Sequence, residues 1–401
     1  MKKNISGKLA LITLQVLLLP FLTGCWSSHE IEEVSLEIGI ALDKGYLSSI
    51  DKEFEEQDGG YQKNNNITIT FQTVNTKGIG NNSKGGGSSE QHSYLNVSET
   101  GDSTFQIVRE IPLRRDHPII GHHLKVIIIS EELASNYSIK DLLDSYLRDN
   151  DIRPSCLVLI SKGRASNALE TNVIGEIPSF RLTKMVENGY RSNKILPAMP
   201  LAKLTGKIQS ESSFLLQNVI SADGEVKLTG AAVIKGKTNK VVGFLNEEEL
   251  EGITWINGKV KGGVVKSSVK GQIIAYEIKS MKSKILPHIN SGDITFEIKI
   301  ETEGRLSENW VNRGKPSDNK FLREIEKSIE AEIKSLMENV VQKMQNDLEV
   351  DVAGFGNKLK IKHPKVWKEV KKDDWDVTFS KLPIKYNVEV TVADYGAVSS
   401  D

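Results

Sequence analysis

Apolar residues recur along this chain with two different periods, and the alternation between them predicts its architecture. Ile38, Ile40 and Leu42 alternate with smaller or polar neighbours, the two-residue period of a strand. Ile67, Ile69 and Phe71 alternate with Thr68, Thr70 and Gln72 in the same way, predicting a half-buried strand. Val126-Ile127-Ile128-Ile129 is a continuous β-branched run, as expected of a strand covered on both faces. Cys156-Leu157-Val158-Leu159-Ile160 reads as a second buried strand. Between these runs the period lengthens. Residues 104–112 predict an amphipathic helix with Phe105, Val108 and Ile111 inward, joined by Ile107. Residues 139–147 predict another, with Leu142, Leu143, Tyr146 and Leu147 inward. Strands and helices alternating about an apolar central strand argue for an α/β layer.

Farther on, residues 179–188 predict a helix ended by Gly189, and Pro197 and Pro200 mark a break. Short strands flank the turn Ala222-Asp223-Gly224. A hairpin is expected from 230–236 and 240–245, followed by an acidic helical turn over 247–252. In the last third, Ile274, Tyr276 and Ile278 alternate, as do Ile294, Phe296, Ile298 and Ile300. Pro316-Ser317-Asp318 is read as the cap of a helix over 319–348. Its stripe is Leu322, Ile325, Ile329, Ile333, Leu336, Val340, Met344 and Leu348. A single stripe of this kind predicts packing on the sheet of its own domain. His363-Pro364 stops a further short helix, and Ile384 to Val392 is a closing strand. The expected fold class is mixed α/β, or α+β, and multi-domain. The parts are an N-terminal α/β domain (25–176), a middle domain (177–266) and a C-terminal α+β domain (267–401), the last an antiparallel sheet packed by a long amphipathic helix.

Residues 1–24 follow a different rule. Lys2, Lys3 and Lys8 form a basic start with no acidic residue, and Leu9 to Leu22 is an apolar run too short for a comfortable bilayer span. Leu22-Thr23-Gly24-Cys25 then gives the order of a bacterial lipoprotein signal. Cleavage is expected after Gly24, with Cys25 as the mature N-terminus carrying S-diacylglycerol and an N-acyl group. No second long apolar run follows, so membrane contact is expected through the lipid anchor.

Composition narrows the function. With 52 basic and 53 acidic residues the formal net charge is −1. Removing the three lysines of residues 1–24 leaves 49 against 53, about −4, which gives no support for nucleic-acid binding. The two cysteines are Cys25 and Cys156; with the first lipidated, no intramolecular disulfide forms, and Cys156 is expected to pack as a small hydrophobe. The Gly/Ser/Asn-rich residues 76–89 lack the Lys-Ser/Thr ending and the spacing of phosphate-binding loops, and read as a solvated loop. His29-Glu30 has no second histidine four residues on, and His117, His122 and His123 have no further ligands at metal-site spacing. Asp373-Asp374-Trp375-Asp376 is the densest acidic group and reads as a solvated turn. With no nucleophile elbow, Walker loop or Cys-x-x-Cys, no catalytic residue, cofactor or metal is expected, and weight moves to a binding or assembly role.

The order of several short stretches resembles the Ger(x)C family, the lipoprotein C subunits of nutrient germinant receptors. They are Cys25-Trp26 with Glu30-Ile31-Glu32-Glu33, Ile38 to Asp43, Gly121 to Val126, Tyr146-Leu147-Arg148-Asp149 to Arg153, Gly230 to Val233, Val242 to Leu245, Asp351 to Gly356, and Pro364 to Lys368. Ser27 and Ser28 stand where the family commonly has an acidic residue after Cys-Trp. The resemblance implies a protein anchored by lipid to the outer face of the inner spore membrane. It implies assembly with two polytopic subunits, A and B, and a non-enzymatic part in nutrient-triggered germination.

Overall fold

The computed structural model describes residues 34–47, 49–57, 67–75, 92–311, 319–370 and 374–394. The expected leader and lipid-modification sequence through Cys25, the motif residues Trp26 to Glu33, the Gly-rich residues 76–89, the expected cap 316–318 and Asp373 lie outside the described residues.

The first sheet has nine strands. They are β1 (Ser35–Lys44), β2 (Ile67–Val74), β3 (Tyr94–Gly101), β4 (Ile119–Ile120), β5 (Val126–Ser130), β6 (Leu157–Ser161), β7 (Phe214–Ala222), β8 (Glu225–Lys235) and β9 (Lys240–Leu245). Their order is β3-β2-β1-β5-β6-β7-β8-β9, with β4 paired to β1 off this path. The centre, β1-β5-β6-β7, is parallel; the two flanks are antiparallel hairpins. β5 and β6 are buried at every residue, as their unbroken apolar runs require. Helices α1 (Ser49–Glu56), α2 (Thr104–Glu110), α3 (Glu131–Asn136), α4 (Ile139–Leu142), α5 (Asp144–Arg148), α6 (Pro178–Glu187) and α7 (Leu201–Gln209) accompany this sheet. Ile107 and Ile111 are buried as expected, but Phe105 is 55% exposed. It lies under the Arg109 guanidinium, 5.0 Å from the ring centre, on the solvent side of α2.

The segment 177–266, read from sequence as a middle domain, contributes β7, β8 and β9 to the first sheet and has no sheet of its own. It then supplies α8 (Glu247–Ile256), which is longer than the helical turn expected from 247–252. Asn246 begins it with a reciprocal capping box with Glu249, which satisfies backbone donors that the first turn leaves open.

The second sheet runs β10-β11-β12-β13, from β10 (Val264–Val269), β11 (Gln272–Asn290), β12 (Asp293–Asn309) and β13 (Ile384–Asp394). The first three strands are antiparallel. β13 is parallel to β12, which differs from the all-antiparallel sheet expected. The reason is the crossover: α9 (Asn319–Gln342), α10 (Phe355–Lys362), α11 (Pro364–Val370) and α12 (Trp375–Phe379) carry the chain back to the end where β12 began. Such a return is what a parallel pairing needs.

α9 passes into a π-helical turn at Lys343–Asp347. Ile325, Ile329, Ile333, Val340 and Met344 are buried in one core with Tyr276, Phe296, Ile298 and Ile300 of the sheet, with Leu322 and Leu348 partly buried at its margin. Trp255 and Ile253 of α8 enter the same core. The long helix is therefore shared between its own sheet and α8. Gly252 makes that crossing close: a Cβ there would lie 2.2 Å from the Leu336 carbonyl oxygen.

Candidate functional site

The end of the first sheet where β1 begins gathers most of the chemistry of the N-terminal half. Ser35 N–H donates to the Pro118 carbonyl, Lys125 N–H to Ile38, and Leu157 N–H to Lys125. The starts of β1, β5 and β6 thus lie side by side. A bulge between Glu37 and Gly39 interrupts the β1–β2 register here. Glu37 is 4% exposed, and its Oε1 has no hydrogen-bond partner among the described residues; neither has the buried Tyr146 hydroxyl of α5. Burial, and then the Asp149 carboxylate, push the Glu37 carboxyl up to about 8, so it is largely neutral at pH 7. Burial and then Glu37 raise the Tyr146 hydroxyl, and the same two causes in the same order raise the Cys156 thiol. Cys156 is fully buried in the apolar cluster with Val158 and Ile160 and is a packing residue, not a nucleophile.

Sequence reasoning passed over Glu37. The alternation of Ile38, Ile40 and Leu42 suggested one polar face, yet β1 is buried on both. Gly39 and Ala41, small and apolar in the intervening positions, were the available signal.

The acidic group near the C-terminus divides into separate structural parts. Asp374 caps α12 by accepting from Asp376 N–H, and its Oδ2 lies 2.7 Å from Lys237 Nζ, in the β8–β9 turn. The Lys237 hydrogen bond holds the Asp374 carboxyl below its ordinary range. Asp376 is buried, against the solvated turn expected, and accepts from Asp351 N–H. Asp351 in turn accepts from the N–H groups of Gly354, Phe355 and Gly356 and from Trp375 Nε1. Apart from the Asp374–Lys237 pair, the hydrogen bonds these carboxylates accept come from backbone N–H groups and one indole, so the group serves as a joint between α10 and α12.

His117 and His122 pair at 3.4 Å with Asp116 and Asp151 respectively, both on the surface. Among the described residues no three or more His, Cys, Asp or Glu side chains are grouped to hold a metal ion. No helix among them is long and apolar enough to cross a membrane. A groove of about 410 Å³ is lined by residues of α6 and the preceding turn, including Ile177, Phe180, Arg181 and Lys184. Within it the Arg181 guanidinium is taken up by Glu176 at 2.8 Å.

Comparisons with known proteins cover both halves. The family described as "Spore germination protein N-terminal domain" matches residues 27–220, and that described as "Spore germination B3/ GerAC like, C-terminal" matches residues 229–396. The chain is 48% identical to spore germination protein YndF of Bacillus subtilis (strain 168), over 100% of both chains. It is 28% identical to spore germination protein B3 of the same organism, over 94% of this chain and 95% of that one. A solved structure described as the crystal structure of the GerBC protein matches with TM-score 0.60 and 25% identity, covering 83% of this chain and 96% of that chain. With two family matches in tandem and a relative this similar along its whole length, the chain belongs to the GerAC-like family of spore germination proteins.

Proposed function

We propose that this protein is a lipid-anchored, non-enzymatic subunit of a nutrient germinant receptor, required for nutrient-triggered spore germination. The observation that carries the reading is Leu22-Thr23-Gly24-Cys25, standing directly before a body that matches two spore germination domains from residue 27 to residue 396. Cleavage after Gly24 frees Cys25, which takes the S-diacylglycerol and N-acyl groups. Two or more acyl chains hold a protein stably, where one chain holds it only marginally. The body then sits on the outer face of the inner spore membrane beside the polytopic A and B subunits. Confinement to that surface raises its effective concentration toward them. The commitment of Asp351, Asp374 and Asp376 to structural bonds supports an assembly role over catalysis.

The test is Cys25→Ala in the sporulating host. The expected result is loss of the acylated N-terminal peptide by mass spectrometry, release from the membrane fraction, and a slowed nutrient response. A normal nutrient response in spores lacking the gene and any paralogue would refute the receptor reading.

A further inference from the structure

Helices α10 and α11 carry a concentrated charge that the fold itself does not use. Residues 355–370 hold five lysines, Lys358, Lys360, Lys362, Lys365 and Lys368, against one acid, Glu369, in a chain whose formal net charge is −1. The two helices form a tight hairpin at His363-Pro364. His363 N–H donates to the Leu359 carbonyl at the end of α10, and Trp367 N–H donates to the His363 carbonyl in the first turn of α11. Phe355, Gly356 and Leu359 face the core. Gly356 lies so near Trp367 that an added Cβ would meet its ring at 3.0 Å. This inner seam fixes the outer face. Lys358, Ile361 and Lys362 fall at helical spacings of three and four, and Lys365 and Lys368 at a spacing of three. All five lysines are exposed, and Ile361 between them is 70% exposed.

Local structure accounts for part of this. Lys360 and Lys362 lie in the last turn of α10 and Lys368 in the last turn of α11, where a cation suits the helix dipole. Lys358 has no such reason. Lys365 follows Pro364 in the first turn of α11, where a cation opposes the dipole. Among the described residues none of the five lysines forms an ion pair. Ile361 takes no part in the core that holds Phe355 and Leu359. A soluble polyanion would satisfy the lysines and leave Ile361 in water. A lipid surface answers both, because its headgroups carry the counter-charge and its acyl boundary receives the apolar side chain.

We infer that the outer face of the α10–α11 hairpin, the five lysines around Ile361, is a docking surface for an anionic phospholipid bilayer. The point where the chain enters the fold supports this occupant. Gly39, Val126 and Leu157 share one row of the first sheet, and the Ile160–Asn218 pairing carries that row to Leu215 and its partner Val233. Val34 precedes the row on β1, and the β8–β9 turn at 236–239 follows it on β8, so both leave the sheet at the same end. β1 and β8 are four strand steps apart, about 20 Å laterally. From that turn Lys237 reaches Asp374, the cap of α12, at 2.7 Å, and Trp375 of α12 packs on Trp367 of α11 with ring centres 5.2 Å apart. The hairpin is thereby held at the end where the chain enters. Residues 25–33 span at most about 30 Å when extended, so a bilayer holding Cys25 is within reach of it. The orientation rests on the lipid-anchor reading above; the charge and exposure of the hairpin do not.

The experiment uses the full chain carrying Cys25→Ala, which cannot be acylated, floated with phosphatidylcholine vesicles or with vesicles containing about 30 mol% phosphatidylglycerol. Residues 1–24 and their lysines are common to every variant, so the reading is the change in the anionic-to-neutral binding ratio. Lys358→Gln/Lys362→Gln/Lys365→Gln should cut that ratio about tenfold at about 50 mM salt. The corresponding triple arginine variant should keep it. The control, Lys266→Gln/Lys282→Gln/Lys284→Gln, removes the same charge from exposed positions on the second sheet and should leave the ratio near that of the parent. Ile361→Ser should weaken binding to the anionic vesicles about threefold at about 500 mM salt, where the charges are screened. A parent ratio near one, an unchanged ratio in the hairpin glutamine variant, an equal fall in the control or unchanged binding of Ile361→Ser overturns the proposal. So does loss of the preference in millimolar inorganic phosphate at constant ionic strength, which would mark a site for small soluble anions. Mass spectrometry of Cys25 in the unaltered protein is scored separately: an unmodified cysteine there ends the anchor reading while leaving the vesicle ratios to decide the hairpin surface.

Discussion

The Asp351 carboxylate accepts a hydrogen bond from Trp375 Nε1 at 2.9 Å, which joins the start of α10 to α12 around a single acceptor. The same carboxylate takes the first open backbone donors of α10. Trp375 meanwhile packs against Trp367 (5.2 Å), Phe379 (6.2 Å) and, edge-on, Phe296 (6.5 Å), tying α11 and α12 to β12. Asp351→Ala leaves several largely buried donors without an acceptor. Stranded buried donors cost about 1–3 kcal/mol each, partly recovered by entering water. We expect a loss of about 3 kcal/mol in urea unfolding, and about half of that for Asp351→Asn, which keeps one carbonyl oxygen. A change below 0.5 kcal/mol for the alanine variant would show that the donors find other partners.

Glu37 makes stability depend on pH. Its carboxyl ionises near 8 in the folded chain and near 4.5 in the unfolded one. The folded state therefore holds the proton more tightly. The contribution is fully present below pH 4.5, declines as pH rises, and is lost above about 8. At 1.36 kcal/mol per pKa unit the full loss is on the order of 5 kcal/mol. Glu37→Gln removes the titration while preserving shape. Denaturant midpoints at pH 5 and pH 8.5 should differ markedly for the parent and much less for the variant. Parallel profiles for the two proteins would place the pH dependence elsewhere.

How far the sequence discloses these features depends on what each residue needs. The stripe from Leu322 to Leu348 was legible because a helix repeats its core contacts every three or four residues. The Val126 and Cys156 strands were legible because burial on both faces leaves no polar phase. Strand direction carries no such mark: Ile384 to Val392 alternates identically whether it pairs parallel or antiparallel to β12. Helix α7 was hidden by Pro197 and Pro200, which read as a break although Pro200 in fact precedes its first turn, a position where proline is tolerated. The Asp351 joint escaped because it joins residues distant in sequence, Asp351 with Trp375, and no local period encodes such a meeting. The expected lipid-modification sequence is the opposite case: its reading rests entirely on residue order, and it lies outside the described residues.

Surface and buried links between the two sheets should respond differently to substitution. Lys237 and Asp374 form an ion pair whose side chains are 55% and 36% exposed. Such pairs contribute about 0–1 kcal/mol, so Lys237→Ala should change the unfolding midpoint little at low salt and not at all at high salt. A larger, salt-independent loss would mean that the lysine stem, not its charge, holds the β8–β9 turn.

Gly252 is the stringent test of the α8–α9 crossing. A Cβ at this position would meet the Leu336 carbonyl oxygen at 2.2 Å and Val340 Cγ1 at 2.9 Å. Helix propensity alone favours alanine over glycine by about 1 kcal/mol. The crossing reverses that sign, because neither a helix backbone nor a packed valine can move aside without opening the core they share with Trp255. Overpacking of this kind costs about 1–3 kcal/mol. We therefore expect Gly252→Ala to destabilise by about 2 kcal/mol, and Gly252→Val to do worse or to fail to fold. Gly206→Ala is the control: it lies in helix α7, where an added Cβ meets nothing within 4 Å, and should be neutral or stabilising. If both alanine variants prove stabilising, the two helices sit farther apart than the 2.2 Å approach allows, and the sheets are joined through the β8–β9 turn instead.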